Sequence, residues 1–368
     1  MPETSPLKSK GAVVLITGGS GFLGAALVRE LLKESHESPI RAKDIRLFDI
    51  RPPDHIHDGR VQYISGDIRS LEALKKACRD VDIVFHAGAL IDWGQRPRTL
   101  LYDVNVNGTN RVIAAAKASR VKALVYTSTM DVLYAGRPII NGDERAPLPK
   151  RYTMAYAETK ALAEWAVLAA NAPVHDTSGQ KKTGSLRTCA IRPCGMFGEG
   201  DPYHVSSFLR MAQKGRLSFR IGNGKALFQH VYVGNVAHAH LLAAKSLLEQ
   251  GGIAAGRVYF ITDFEAKNFF DYLEPIISGI GYSMPPKGRS LPMPLVYAIA
   301  WIVDWTSKIS RPLFRFYPQL NRTSVAMVSR DLTFTGERAR AELGYRPLYT
   351  EEEAIARTIE YFKSHGPV

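Results

Sequence analysis

Short runs of β-branched and aromatic residues alternate with segments of helical spacing through the first half of the chain. Val13–Ile16, Ile45–Phe48, Val61–Ile64, Ile83–Phe85, Ala123–Tyr126 and Thr188–Ile191 are apolar at successive positions and predict buried strands. Phe22–Lys33, Ser70–Cys78, Asn105–Ala118 and Met154–Asn171 carry apolar residues three and four apart and predict helices. Strand–helix alternation of this kind predicts an α/β fold, a doubly wound parallel sheet with right-handed crossovers. After Arg192-Pro193 the texture changes: glycine and proline become frequent, and Arg210, Lys214, Arg216, Arg220 and Lys225 cluster. Val231–Ala244 then reads as a helix approached by a short extended piece. A last helix, Thr350–Phe362, opens on Glu351, Glu352 and Glu353, which suit the positive end of a helix dipole. No internal repeat or low-complexity tract interrupts the pattern.

Composition narrows the classes. The 368 residues are 45% apolar and 23% charged, the balance of a globular chain long enough for two lobes. The 3 cysteines, Cys78, Cys189 and Cys194, show neither zinc spacing nor an even disulfide framework, which points to a reducing compartment and no metal. Met1–Lys10 is polar and lacks the apolar centre of a signal peptide, and no apolar run approaches the roughly 18 residues of a spanning helix. The net charge of +13 is spread along the chain without a basic, aromatic-interleaved stripe. Nucleic acid is therefore not expected as a partner, whereas an anionic membrane surface stays open.

Thr17-Gly18-Gly19-Ser20-Gly21-Phe22-Leu23-Gly24 follows the first strand and opens the first helix. In that context Gly18 permits a tight turn, Gly21 lets the backbone approach a pyrophosphate, and Gly24 lets the helix pack on the sheet, with the helix N-terminus facing the phosphates. Phe22 and Leu23 flank the same approach. Asp49 ends the second strand, where a carboxylate bonds adenosine ribose hydroxyls and repels a 2′-phosphate, favouring NAD over NADP; Arg51 lies close enough to offset part of that repulsion. Asp67 and Ile68 follow the third strand at the place of the adenine, and equally fit a plain turn. Ala87-Gly88-Ala89 is small enough for a cofactor to pass close to the backbone. The expected division is a dinucleotide-binding Rossmann domain over 1–193 and a mainly substrate-binding lobe over 194–368, with 231–262 returning to the first domain.

Tyr156 and Lys160 stand four apart in Tyr156-Ala157-Glu158-Thr159-Lys160, on one face of a helix. A phenol serves as a base at neutral pH only if its pKa of about 10 falls to near 7, a change of about 4 kcal/mol. One ammonium at some 4 Å supplies about that much at an effective dielectric near 20. Lys160 is thus the expected partner of Tyr156 and a candidate to hold the nicotinamide ribose. Ala123–Tyr126 runs into Thr127-Ser128-Thr129, hydroxyls at the carboxyl edge of the sheet where ligands bind. Thr129 or Ser128 can orient a substrate oxygen, and Thr127 faces the cofactor. Asn105 can hold a water in a proton relay from Lys160, or simply bend or cap its helix.

These segments, together with VFHAGA, NVNGT, LVYTST, LRTCAIRPCGMFGEGD, HVYVGNVAHAHLLAA and ARAELGYRPLY, resemble the extended short-chain dehydrogenases, and within them the 3β-hydroxysteroid dehydrogenase family, from about Val13 to Phe362. The resemblance implies that Tyr156 is the acid/base and Lys160 its activator, and that Pro193, Gly195 and Met196 belong to the loop cupping the nicotinamide carboxamide. The chain departs from the family twice. Thr129 stands where serine is usual, and keeps the hydroxyl. Phe260-Ile261-Thr262-Asp263 is followed by Phe264, where members that also isomerise a Δ5 double bond carry a second acid, so isomerase activity is not expected. Members that oxidise sterol 4-carboxylates, with loss of CO2, also lack that acid pair.

Leu295–Trp305 is apolar except for Asp304 and is flanked by Lys287, Arg289, Lys308, Arg311 and Arg315. It suits either a membrane interface on the cytoplasmic side or the wall of a pocket for a lipid-like substrate. The sequence thus reads as an NAD-dependent oxidoreductase that oxidises the 3β-hydroxyl of a steroid or sterol-like substrate, with a homodimer left open. Its rivals are a 2-alkyl-3-oxo acid reductase, a bifunctional dehydrogenase/isomerase and a dinucleotide sensor without catalysis.

Overall fold

All six expected strands form, and a seventh joins them. The computed structural model describes residues 11–34, 38–54, 58–92, 96–172, 185–249, 251–310 and 321–368. Met1–Lys10, Arg311, Arg315 and the Lys308 side chain lie outside the described residues. The strands are β1 (Ala12–Thr17), β2 (Ala42–Asp49), β3 (Val61–Ser65), β4 (Ile83–His86), β5 (Ala123–Thr127), β6 (Ile139–Gly142), β7 (Arg187–Pro193), β8 (Gly195–Phe197), β9 (Arg220–Ile221), β10 (His230–Tyr232) and β11 (Val258–Ile261). Seven of them make one sheet in the order β11-β7-β5-β4-β1-β2-β3, with every neighbour parallel. The chain order reverses beside β1, between β4 and β2, which opens a crevice at the carboxyl edge for a ligand.

The two-sided burial of the strands explains their apolar runs. Val14 and Ile16 point into one core layer and Val13 and Leu15 into the other, and all are buried. On the first face lie α1 (Phe22–Leu32) and, later in the chain, a long helix; on the second lie α2 (Leu71–Ala77) and the α3 (Arg98–Leu101) to α4 (Thr109–Ala118) segment. The helix expected to begin at Asn105 starts earlier. Between α3 and α4, Tyr102–Gly108 winds as a π-helix, and Asn105 sits in that wide turn. Next come α5 (Ala155–Ala169), α6 (Val205–Gln213) and α7 (Val233–Leu248), the long helix of the first face. The helix expected from Val231 begins at Val233 because His230–Tyr232 is committed to pairing with Gly195–Phe197.

α5 buries a polar stripe. Tyr156, Lys160 and Glu164 follow one another at four-residue intervals and are all buried. Glu164 takes two bonds from the Arg192 guanidinium at 2.6 and 2.9 Å, tying the helix to β7. The remaining elements are α8 (Phe269–Ile280), β12 (Ser290–Leu291), α9 (Met293–Ser310), α10 (Arg322–Val328), β13 (Leu332–Phe334), α11 (Glu337–Leu343) and α12 (Glu351–His365).

Breaking the Glu164–Arg192 pair tests how firmly α5 is held. Glu164→Ala leaves a guanidinium buried without its carboxylate and should cost about 3–5 kcal/mol. Replacing both partners, Glu164→Leu with Arg192→Met, should recover most of that loss. Urea denaturation checks both; a single variant as stable as wild type would show that the pair does not hold the helix.

Candidate functional site

The glycine turn between β1 and α1 fits a dinucleotide on steric grounds. Gly18 has φ +69°, and a Cβ there would lie 2.7 Å from the Gly88 backbone. A Cβ on Gly24 would lie 2.4 Å from the Gly18 carbonyl oxygen. The turn thus packs against the chain leaving β4: the Ala87 amide donates to the Thr17 carbonyl at 3.1 Å, and the Gly88 amide lies 3.4 Å from Thr17 Oγ1. Asp49 Oδ2 accepts the Ser20 amide at 3.2 Å, so the carboxylate at the end of β2 faces the glycine turn. Phe22 is half-buried and Leu23 buried on α1. Asp67 and Ile68 diverge. The Asp67 carboxylate is held by the Arg69 guanidinium at 2.6 Å, which keeps its pKa low, whereas Ile68 is buried against Gly108.

Asn105 is bonded to two neighbouring segments of the protein. Its Oδ1 accepts the Leu90 amide at 2.7 Å, and its Nδ2 donates to the Leu90 carbonyl and to Thr159 Oγ1 at 3.0 and 3.1 Å. The π-turn therefore clamps the loop carrying Ala87, Gly88 and Ala89 and braces it against α5.

At the end of β5 the three hydroxyls have different neighbours. Thr127 Oγ1 pairs with His240 Nε2 of α7 at 2.8 Å. Ser128 Oγ is buried with no partner among the described residues. Thr129 Oγ1 is bonded to Asp131, donating to Oδ2 at 3.1 Å and accepting from the amide at 3.2 Å.

Lys160 reaches the strand, not the phenol. Its ammonium donates to the Thr127 carbonyl at 2.6 Å and sits 4.2 Å from the centre of the Tyr126 ring. Burial lowers the Lys160 pKa to about 7. Tyr156 is 6% exposed, and burial, then the charges of Asp131 and Tyr203, push its pKa well above the usual value, against a smaller opposing effect of Thr129. Without ligand the site favours the neutral phenol.

One residue that sequence reasoning missed completes the cluster. Asp131, two residues beyond Thr129, is buried with Oδ2 accepting from Thr129 Oγ1 at 3.1 Å. Only its proximity to the Thr129 hydroxyl marks it in the sequence. Asp263, by contrast, is occupied structurally. It accepts from the Tyr232 amide at 3.0 Å, from Asn235 Nδ2 at 2.8 Å and from the Tyr345 hydroxyl, so it ties β10 and α7 to the segment after α11. Phe264 packs on Phe197. Pro193 closes β7, Gly195 opens β8 against the Phe228 ring, and Met196 lies half-buried beside it.

The profile of the 3-beta hydroxysteroid dehydrogenase/isomerase family matches residues 15–293. The chain is 37% identical to human short-chain dehydrogenase/reductase family 42E member 1 across 98% of its own length and 90% of that protein. It is 34% identical to 3beta-hydroxysteroid-dehydrogenase/decarboxylase isoform 1 of Arabidopsis thaliana, across 95% of its own length and 79% of that protein. Among solved structures, gox2253 is similar at a TM-score of 0.71 and 25% identity, covering 96% of this chain and 99% of that one. The Thermus thermophilus UDP-glucose 4-epimerase complex with NAD shares the fold at a TM-score of 0.67 and 20% identity, covering 96% and 99%.

Proposed function

The chain belongs to the 3-beta hydroxysteroid dehydrogenase/isomerase family of oxidoreductases, and on that premise we propose that it oxidises the 3β-hydroxyl of a sterol-like substrate with NAD. The observation that carries the reading is the buried pair Tyr156 and Lys160 on one face of α5, with the Lys160 ammonium bonded to the Thr127 carbonyl at the carboxyl end of β5. When bound, NAD supplies the hydride acceptor. Gly18, Gly21 and Gly24 leave room for its phosphates, and Asp49 holds the adenosine ribose and disfavours a 2′-phosphate. Lys160, already anchored on the Thr127 carbonyl, meets the second ribose. Tyr156 takes the proton of the alcohol, and Thr129 orients the alcohol oxygen.

The Arabidopsis relative named a dehydrogenase/decarboxylase supports a substrate carrying a carboxyl beside the alcohol, from which CO2 is lost after oxidation. The engagement of Asp263 with Tyr232, Asn235 and Tyr345 weighs against its use as an isomerase acid. The substrate lobe contains a cavity of about 440 Å³, within the size range of small-molecule sites. Its polar side chains are already satisfied: Asn268 caps α8 and donates to the Ala226 carbonyl, and Asn223 accepts the Lys225 amide. Ile221, Leu291, Met293 and Val328 form its apolar side. Neither Tyr156 nor Thr129 lines this cavity, so it is not the place of the chemistry.

A peripheral membrane position is the second part of the proposal. No helix among the described residues is long and apolar enough to cross a membrane. α9 is one-sided: Val296 and Ala300 pack toward Val325 of α10, while Leu295, Trp301, Ile302, Trp305 and Ile309 are exposed on the opposite face. Trp301 and Trp305 are each 56% exposed. Asp304, the acid within this segment, is paired with Arg322 at 2.8 Å. An apolar, tryptophan-bearing face on a basic protein suits the interface of an anionic bilayer.

Two experiments test these statements. Purified protein with NAD should form NADH on 3β-hydroxysterols or their 4-carboxylates, and Tyr156→Phe should lower kcat about a thousandfold or more, a barrier increase of about 4 kcal/mol, while NADH affinity stays close to that of wild type. Retention of more than about a tenth of the wild-type kcat, a barrier change under about 1.4 kcal/mol, would remove Tyr156 from the chemistry. For the membrane, the protein should co-sediment with anionic liposomes at low salt and remain partly bound at high salt, and Trp301→Ser with Trp305→Ser should release it. No sedimentation at low salt would overturn that part alone.

A further inference from the structure

Thr17, His86 and Thr109 form a buried polar chain beside the glycine turn. Thr17 ends β1, His86 ends β4 and Thr109 opens α4, and each is at most 1% exposed. His86 Nδ1 lies 2.7 Å from Thr17 Oγ1, and its Nε2 lies 2.9 Å from Thr109 Oγ1. The other residues of β4, Ile83, Val84 and Phe85, are apolar and buried, so the imidazole is the exception in its strand. A buried ring with two polar nitrogens destabilises a core unless both find partners, and here both do.

These bonds run in one direction only. A carbonyl can only accept, so the Thr109 hydroxyl gives its single proton to the Asn105 carbonyl at 2.6 Å. Toward His86 it then accepts, which puts the imidazole proton on Nε2. Burial, then the charge of Lys160, lowers the His86 pKa to about 3, so the ring is neutral and Nδ1 is an acceptor. The Thr17 hydroxyl therefore donates to Nδ1, which leaves its lone pairs for the Gly88 amide 3.4 Å away. An ordered chain thus leads from the Gly88 amide through Thr17, His86 and Thr109 to the Asn105 carbonyl. The Asn105 side chain meanwhile holds the amide and the carbonyl of Leu90. One network grips the segment leaving β4 at Gly88 and again at Leu90.

We propose that His86 is a positioning residue for NAD: as the neutral Nε2–H tautomer it sets the spacing between the glycine turn and the Gly88 segment, without touching the cofactor itself. This rests on NAD binding in the crevice and not on which alcohol is oxidised. Gly18 packs so tightly on Gly88 that a Cβ would come within 2.7 Å of its backbone, which leaves neither turn slack to shift. His86 is tied to both sides of that contact. Thr17 immediately precedes Gly18, and Ala87-Gly88 follows His86 directly. The Ala87 amide fixes the Thr17 carbonyl at 3.1 Å, and the imidazole fixes the Thr17 side chain. An apolar ring of similar size would fill the space, but it would release the Thr17 hydroxyl and part the crevice wall from Thr109 on α4.

His86→Phe keeps a ring and removes both bonds, whereas His86→Gln keeps one acceptor and one donor. In fluorescence titrations with NADH, and no alcohol present, His86→Phe should bind about tenfold more weakly than wild type, and His86→Gln should recover most of that loss. A residue that serves stability alone would lower the urea midpoint of His86→Phe and leave the Kd of the folded protein unchanged. Thr17→Val and Thr109→Val cut the chain on either side of the ring, and their losses in NADH affinity should be less than additive in the double variant. Should His86→Phe fail to fold, these milder variants and the spectrum of wild type decide. In nitrogen-15 histidine spectra, the signal that His86→Gln removes should be the neutral Nε2–H tautomer and stay so from about pH 5 to 8. A proton on Nδ1, additive threonine losses, or wild-type NADH affinity in His86→Phe would each overturn the positioning role and leave the cofactor site intact. A wild type that binds no NADH would instead overturn the cofactor site, and the proposal with it.

Discussion

Everything at this site depends on a helix that turns polar residues inward. α5 directs Tyr156, Lys160 and Glu164 at the sheet, where Lys160 is anchored on the Thr127 carbonyl and Glu164 on Arg192. Buried polar groups destabilise a fold unless paired, and a paired one resists displacement because its release strands a charge or a dipole. Anchors spaced at four-residue intervals leave the helix little freedom to slide or rotate. Tyr156 is thereby fixed on the buried face of α5 before any ligand arrives, the positioning that the proposed hydride and proton transfer needs.

The same economy of space governs the cofactor side. Gly18 and Gly88 pack together just beyond β1 and β4, where a Cβ on Gly18 would lie 2.7 Å from the Gly88 backbone. Asp49 and Ser20 set the far end of that crevice, and the Asn105 clamp on Leu90 sets its wall. The π-turn around Asn105 joins the two halves of the site, because Asn105 also touches Thr159 on α5. A cofactor in the crevice and an alcohol beside Tyr156 would thus rest on one continuous set of bonds.

Strands, sheet class and the glycine turn were legible because each rests on local pattern: apolar runs buried on two faces, and glycines where a Cβ has no room. The Tyr156/Lys160 spacing was legible for the same reason, as helical geometry puts both on one face. Their electrostatics were not. A four-residue spacing does not say that the Lys160 ammonium turns to the Thr127 carbonyl, or that a carboxylate lies behind Thr129. Asp131 carries no pattern of its own, and its significance appears only when a short 3₁₀ turn folds its side chain back on Thr129. The early start at Arg98 was hidden because a π-turn breaks the 3.6-residue period that reveals helices. Asp263 looked chemical beside Phe264, but its bonds to Tyr232, Asn235 and Tyr345 span sequence separations that no local window contains.

In the proposed function this arrangement moves hydride from a 3β-carbinol to NAD. Incubation with a 3α-deuterated 3β-hydroxysterol and NAD, followed by mass spectrometry of the recovered cofactor, measures that transfer directly. Wild type should place one deuterium in the NADH it forms, and Tyr156→Phe none. NADH that forms from these substrates without deuterium, or equal labelling with Tyr156→Phe, would contradict it.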